Sequence, residues 1–442
     1  MANICIVGLW HQAMVLAACF SDMGHAVRGV GDEGEVAEAL NRGKPPLFEP
    51  RISAMIRRNV RAGRLKFLTN YREALCAAEF VYISIDTPVN SDDSSDLSSI
   101  FDAARNIGCA LSGPVTLVVT AQVPVGTTER IAAVVREKSP ATQVEVAYVP
   151  EFLRLGTAVE TFKKADRFVI GADDAAVAER IAALYKPLKR PILTTTLRTA
   201  EMGKHACNSY LALSISFINE IADLSESLGA DACEVAKIMK ADRRIGHFAF
   251  LSPGLGFAGG TLGREIRALQ NFGQKTDRAT RMMDAIWEVN QSRPQIVRHK
   301  LMSEYGRLRG LNVAILGLTY KPGTSTLRRA ISLDIMRDLA THGVALKAYD
   351  PLVRIDGMTE LPPFELVNSP YEAAAGTDAV VLLTEWAKIK TDLDLAKLKT
   401  SMRQPLFIDT RNLFDPVQMK QLGFVYLGIG RGAPQTPIVQ TG

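Results

Sequence analysis

"NICIVGLWHQAMVLAACFSDMGHAVRGVGD", residues 3–32, decides the fold. The run 3–7 is short, apolar and β-prone. Residues 12–22 repeat apolar side chains at helical spacing, Gly24 is a stop signal, and "AVRGVG" (26–31) reads as a second strand. Strand, tight turn, helix and strand make a βαβ unit, and parallel strands require such crossovers.

The alternation continues. "FVYISIDTP" (80–88), "TLVVTAQVP" (116–124), "VEVAYVPEF" (144–152) and "RFVIGA" (167–172) read as strands separated by helical stretches. From about Thr195 the strand signal stops. "TAEMGKHACNSYLALSISFINEIADLSESLG" (199–229) predicts one long helix or two consecutive ones. "RGLNVAILGLTYKPGTSTLRRAISLDIMRDLATHGVALKAYDP" (309–351) then repeats the opening pattern, and "AVVLLTEW" and "PLFIDTRNLF" supply later strands. The expected fold is α/β: two Rossmann-like, doubly wound parallel-sheet domains joined by a long central helical section. The expected boundaries are 1–194, 195–300 and 301–442, with a loose tail "GRGAPQTPIVQTG" (430–442).

The chain of 442 residues is 47% apolar and 22% charged, an ordinary globular balance for two or three domains. Its net charge of +5 suits an anionic small molecule, and no dense Lys/Arg cluster argues for nucleic acid. Six scattered cysteines form no C-x-x-C pair, and no His cluster points to a metal. With no membrane-length apolar run and no secretion signal at the start, the expectation is a cytoplasmic protein with reduced thiols.

The first turn, Gly8-Leu9-Trp10-His11-Gln12-Ala13, departs from the dinucleotide fingerprint G-x-G-x-x-G. Gly8 is present and Ala13 is an accepted third position. Trp10 stands where the middle glycine lets the pyrophosphate approach. Gly31 stands where a ribose-binding acid is expected, with Asp32 one residue later. By itself the turn fits either cofactor binding or an α/β turn that binds nothing. His11 reads as a turn residue. Another stretch, "SPGLGFAGGTLGRE" (252–265), has five glycines and suits close backbone approach to an anion.

The order of motifs resembles the UDP-glucose/GDP-mannose dehydrogenase family along nearly the whole chain. The resemblance rests on "GKPPLFEP" (43–50), Thr87-Pro88, "VPVGTT" (123–128), "VPEFLRLG" (149–156) and "AEMGKHACNSYLALSISFINEIA" (200–222). It continues through "DRRIGHFAFLSPGLGFAGGTLGRE" (242–265), "GLTYKPGTSTLR" (317–328), "DAVVLLTEW" (378–386) and "IDTRNLFDP" (408–416). The family oxidises a sugar-nucleotide alcohol to the aldehyde and then to the acid with two NAD. Its second step needs a cysteine thiolate, which is strongly nucleophilic near neutral pH.

The resemblance implies specific roles. Lys204 and Asn208, one turn apart on a helix, match residues that contact the reacting hydroxyl. Glu151 matches a retained glutamate, as a proton relay or a hydrogen-bonding group. Thr261 occupies the cysteine's place, and Glu265 replaces an aspartate that helps hold the catalytic water. Ala121-Gln122 and Leu155 replace further residues of the thioester half. Gly8, Trp10, Ala13, Asp32, Thr87, Gln122 and Arg328 are implied to line NAD, with NADP left open. Phe152, Leu153, Arg244, Phe257, Gly259, Lys321 and Arg411 are implied to bind a UDP-type sugar nucleotide, Arg244 across a subunit boundary. "TSTLRRAI" (324–331) edits that site too. Trp386 reads as core packing.

The implied partner is a second copy, a homodimer through the central helices. Three functions follow. The first is a two-electron or redox-neutral nucleotide-sugar oxidoreductase. The second is a redox-inactive sugar-nucleotide-binding or regulatory relative. The third is a four-electron UDP-glucose 6-dehydrogenase whose cysteine comes from elsewhere; Cys207 lies beside the Lys204 face of the helix.

Overall fold

Strand β1 (Asn3–Val7) shows why the first sheet carries helices on both faces. Ile4 and Ile6 enter one buried apolar cluster, whereas Cys5 and Val7 enter another. A strand buried on both sides reads as a continuous apolar run, and such strands belong to parallel sheets covered by crossover helices. The computed structural model describes residues 1–88, 95–258, 260–327, 329–355, 358 and 360–432. Gly259, Arg328 and the tail from 433 onward lie outside the described residues.

The chain separates into two compact units, Met1–Cys207 and Asn208–Gly442. The first holds an eight-stranded sheet: β1, β2 (Ala26–Val30), β3 (Leu65–Leu68), β4 (Phe80–Ile83), β5 (Val115–Val119), β6 (Val144–Tyr148), β7 (Phe168–Gly171) and β8 (Ile192–Thr195). Their order is β3-β2-β1-β4-β5-β6-β7-β8. The order reverses between β1 and β4, the kind of switch point beyond whose carboxyl ends open α/β sheets bind ligands.

One pairing departs from the expected all-parallel sheet. β6 and β7 run antiparallel, meeting at Tyr148 and Gly171. The only helix between them, Ala158–Lys163, has six residues. At 1.5 Å per residue it spans about 9 Å, too short to retrace a five-residue strand of about 17 Å.

The second unit repeats the scheme with β9 (Asn312–Leu316), β10 (Ala345–Tyr349), β11 (Glu365–Leu366), β12 (Ala379–Leu382), β13 (Leu406–Asp409) and β14 (Val425–Gly428), all parallel. Their order is β11-β10-β9-β12-β13-β14. Val313 and Ile315 of β9 enter one core, and Ala314 and Leu316 the other. Trp386 belongs to the second of these, with its indole N–H donating to the Asp350 carboxylate at 3.0 Å, which agrees with core packing.

The predicted central helix is a single one, Leu197–Leu228. The glycine-rich stretch ends earlier than its sequence suggests. Gly263, Arg264 and Glu265 already lie in the helix Leu262–Lys275, so among the described residues only 252–258, 260 and 261 of the stretch lie outside it. Among the described residues, no helix is long and apolar enough to cross a membrane.

Candidate functional site

In the first unit the turn after β1 is built for close approach. Gly8 has φ +121°, and a Cβ there would lie 2.5 Å from the Ser84 carbonyl oxygen at the end of β4. Only glycine takes that conformation and that contact without strain. The helix His11–Asp22 follows, with Trp10 at its N-cap position and no side-chain cap. Its first intrahelical bond runs from Met14 N–H to Trp10 C=O, so the N–H groups before it face outward from the helix start. Ala13 is buried. The Trp10 ring is 47% exposed and so lies at the mouth of the turn, outside the core. Asp32 is exposed just past β2.

The loops after β5 and β6 are tied to one helix. Glu201, fully buried, accepts from the N–H groups of Gly126 (2.6 Å) and Thr128 (2.9 Å). The His205 ring meets the Val123 carbonyl at 3.0 Å. Lys204, 6% exposed, donates to the Glu151 main-chain carbonyl and lies 4.6 Å from the Phe152 ring centroid. The Arg167 guanidinium lies 4.6 Å from the same ring and 3.4 Å from Cys207 Sγ. The Glu151 carboxylate accepts from Leu153 N–H at 2.6 Å, so it closes the local turn. The Thr87 hydroxyl donates to the Gln122 carbonyl at 3.2 Å, joining the segments after β4 and β5. Phe152, Leu153, Lys204, Thr87 and Gln122 are therefore gathered at the carboxyl ends of the strands in this unit.

In the second unit Asn208 is buried, and its side-chain amide nitrogen has no hydrogen-bond partner among the described residues. Thr261 is exposed at the N-cap position of the helix Leu262–Lys275, and its hydroxyl makes no cap bond. Glu265 is fully buried in the first turn of that helix. Phe257 is fixed by Asn290, which accepts from its N–H at 2.8 Å and donates to its carbonyl at 3.1 Å. Arg411 donates to the Leu383 carbonyl at 2.8 Å and pairs with Glu385 at 3.1 Å, beyond the ends of β12 and β13. The Lys321 ammonium lies 5.6 Å from the Tyr320 ring centroid. Arg244 is exposed and paired with Asp242. A polar cavity of about 530 Å³ in this unit is lined by Asp223, Arg293, His299 and Lys300 among others, and none of the sequence-predicted site residues lines it.

Comparison with known proteins gives these residues their context. The UDP-glucose/GDP-mannose dehydrogenase family matches through its NAD binding domain over residues 2–189, its central domain over 198–292 and its UDP binding domain over 314–416. The UDP-glucose 6-dehydrogenase of Rhizobium meliloti is 37% identical, covering 97% of this chain and 99% of the relative. This chain belongs to the UDP-glucose/GDP-mannose dehydrogenase family. The UDP-glucose 6-dehydrogenase of Pseudomonas aeruginosa is also 37% identical, covering 97% of each chain. A solved UDP-glucose dehydrogenase from Pyrobaculum islandicum superposes with a TM-score of 0.88 at 31% identity, covering 98% of each chain. The protein is thus an NAD-dependent oxidoreductase of the nucleotide-sugar dehydrogenase family, as its motif order implied.

The residues of the first unit fit NAD. The Gly8 cradle and the uncapped first turn of the helix His11–Asp22 offer a phosphate what that domain requires. Two buried carboxylates that support this region lie in the family motifs but were not singled out from them. Glu201 is one. The other is Glu49, 2% exposed, which accepts from Gly156 N–H and Ala158 N–H at 2.8 Å each and bonds His11 Nε2 at 2.9 Å. His11 is therefore more than a turn residue: it links the start of the first helix to the segment after β6. A lone carboxylate among the apolar and proline residues of "PPLFEP" was the available signal.

Proposed function

We propose that this protein oxidises a UDP-sugar with NAD by one two-electron step, or oxidises and re-reduces the same carbon without net redox change. The observation that carries this reading is Thr261 at the place of the family's cysteine. A threonine hydroxyl is almost entirely protonated near neutral pH, so it cannot stand in for a thiolate. None of the six cysteines lies in residues 242–265. Cys5 and Cys19 are buried in the first unit, and burial pushes both thiols up to about 12.

In the supported step, the sugar's CH2–OH loses a hydride and its hydroxyl proton, giving the aldehyde, NADH and a proton. NAD supplies the hydride acceptor. The buried Lys204 ammonium stabilises the developing alkoxide, since its charge acts strongly in a poorly solvated setting. The unpaired Asn208 amide hydrogen-bonds the same hydroxyl in this reading. The family resemblance assigns Phe152 and Leu153 of the first unit to the sugar, and Phe257, Lys321 and Arg411 of the second to the sugar nucleotide. Arg328 and Gly259 keep their assigned roles as expectations only.

The test is stoichiometric. Incubation with UDP-glucose or another UDP-sugar and NAD should yield at most one NADH per sugar and no uronate by mass spectrometry. Two NADH with a uronate would refute the reading. Trp10 favours a second reading, a binding relative without redox function. Calorimetry separates them, because that relative binds UDP-sugar and no NAD.

The same reading includes a homodimer and a cytoplasmic location. Tyr210, Phe217 and Leu224 recur every seven residues on the central helix and are 66%, 43% and 54% exposed, which supports a partner on that face. All six cysteines are free, which suits a reducing compartment.

A further inference from the structure

In a dinucleotide fold, a carboxylate at the end of the second strand hydrogen-bonds the adenosine ribose, and its charge disfavours a 2′-phosphate. Here β2 ends at Val30, whose carbonyl accepts from Gly8 N–H at 2.8 Å, and Gly31 follows without a side chain. The space beside Gly31 is nevertheless filled. A Cβ built on it would lie 2.8 Å from Leu9 Cγ and 3.0 Å from Leu9 Cδ1. Leu9 is buried, so a side chain at position 31 would require a packed residue to shift.

The same imaginary Cβ lies 3.0 Å from Glu33 Oε2. The carboxylate of Glu33 therefore reaches back to the place where a side chain at position 31 would begin. Its backbone explains the freedom to do so. Glu33 occupies the N-cap position of the helix Gly34–Asn41, yet its side chain makes no cap bond. Asp32, the acid that the sequence offers, is exposed and raises the Tyr71 phenol more than Glu33 does. The Tyr71 phenol is pushed up to about 12, by burial first and then by Asp32, with Glu33 the weakest contributor.

We infer that Glu33, reaching back over Gly31, reads the adenosine 2′-hydroxyl and sets a preference for NAD over NADP. The acid has moved two residues along the chain because Leu9 took the space of the usual one. The carboxylate accepts from the ribose hydroxyl, and a 2′-phosphate would meet it as a like charge. The inference rests on the reading that NAD binds at the Gly8 turn.

Calorimetric titration of the full chain with NAD, NADP and NAD lacking the adenosine 2′-hydroxyl tests it without any turnover. The unaltered protein should bind NAD about tenfold tighter than the deoxy analogue, the loss expected for one hydrogen bond to a charged group, and should bind NADP more weakly still. Glu33→Gln should weaken NAD by a similar factor, abolish the difference between NAD and the deoxy analogue, and improve NADP. Glu35→Gln, at an exposed acid in the first turn of the helix Gly34–Asn41, should leave all three affinities in their original ratios. Thermal unfolding of both variants checks that they fold. NAD binding with unchanged ratios in Glu33→Gln, or altered ratios in Glu35→Gln, overturns the inference alone. Absence of NAD binding by the unaltered protein overturns the cofactor reading and this inference with it.

Discussion

Lys204 donates its ammonium to the main-chain carbonyl of Glu151 at 2.5 Å. The bond fixes a buried cation at the segment after β6 and, with the Phe152 ring beside it, leaves the charge poorly solvated. If that charge stabilises a developing alkoxide, Lys204→Met should lower kcat by about 10²- to 10³-fold, as removal of one preorganised donor does. KM for the UDP-sugar should change far less. Steady-state NADH formation, with thermal unfolding as the control for folding, checks this. A proportional rise in KM at constant kcat would assign Lys204 to ground-state binding instead.

Glu49 should matter to stability and to geometry at once. It is the shared acceptor for Gly156 N–H, Ala158 N–H and His11. Glu49→Ala leaves buried donors without partners and should cost about 3 kcal/mol in urea unfolding. Glu49→Gln keeps one acceptor oxygen and should recover part of that loss.

Acid stability should depend on Asp22. Burial alone would raise its carboxyl, but Lys163 and Arg58 together outweigh that and hold it below its ordinary 3.8. A depressed carboxyl stabilises the folded state above the unfolded value, and the contribution is lost as pH falls below 3.8 through the folded value. Asp22→Asn should therefore destabilise the protein near neutral pH and have no effect well below pH 3.8. Chemical unfolding across that range is the measurement. A destabilisation that persists in acid would point to packing instead.

The fold was legible where local pattern and tertiary burial agree. Residues 3–32 announced strand, helix and strand because β1 is buried on both faces and the helix His11–Asp22 carries helical spacing. β8 and β14 were not legible, since Ile192–Thr195 and Val425–Gly428 are short, edge-placed and partly exposed. The antiparallel β7 escaped notice because strand direction depends on the length of the connecting helix, which apolar patterning does not encode. In the site, Lys204 stood out through its motif. The proposed role of Glu33 did not, because it depends on how Leu9 fills the space beside Gly31, a relation between residues distant in sequence.

Association should be sensitive to the exposed stripe on the central helix. Phe217→Glu together with Leu224→Glu places two charges on it. Sedimentation should show a dimer for the unaltered chain and at least a ~100-fold weaker association for the double variant, the size expected when two apolar anchors are lost. A dimer of unchanged affinity would move the interface elsewhere.

Thr261→Cys tests the missing sulfur directly. Thr261 is exposed at the head of the helix Leu262–Lys275, and the positive end of a helix favours a thiolate. A thiolate there attacks the aldehyde to form a thiohemiacetal, and loss of a second hydride to NAD leaves a thioester. Hydrolysis then needs a positioned water, and the family resemblance implies that residues holding it are replaced at Ala121-Gln122 and at Glu265. The variant should therefore make a second NADH in a single burst and then stall, with the acylated protein detectable by intact-mass measurement and mapping to residue 261. Steady formation of uronate would show that water is already well placed and that sulfur alone was lacking. An unmodified protein with one NADH per sugar would place the block earlier than the thioester, and the two-electron limit would then have a cause other than Thr261.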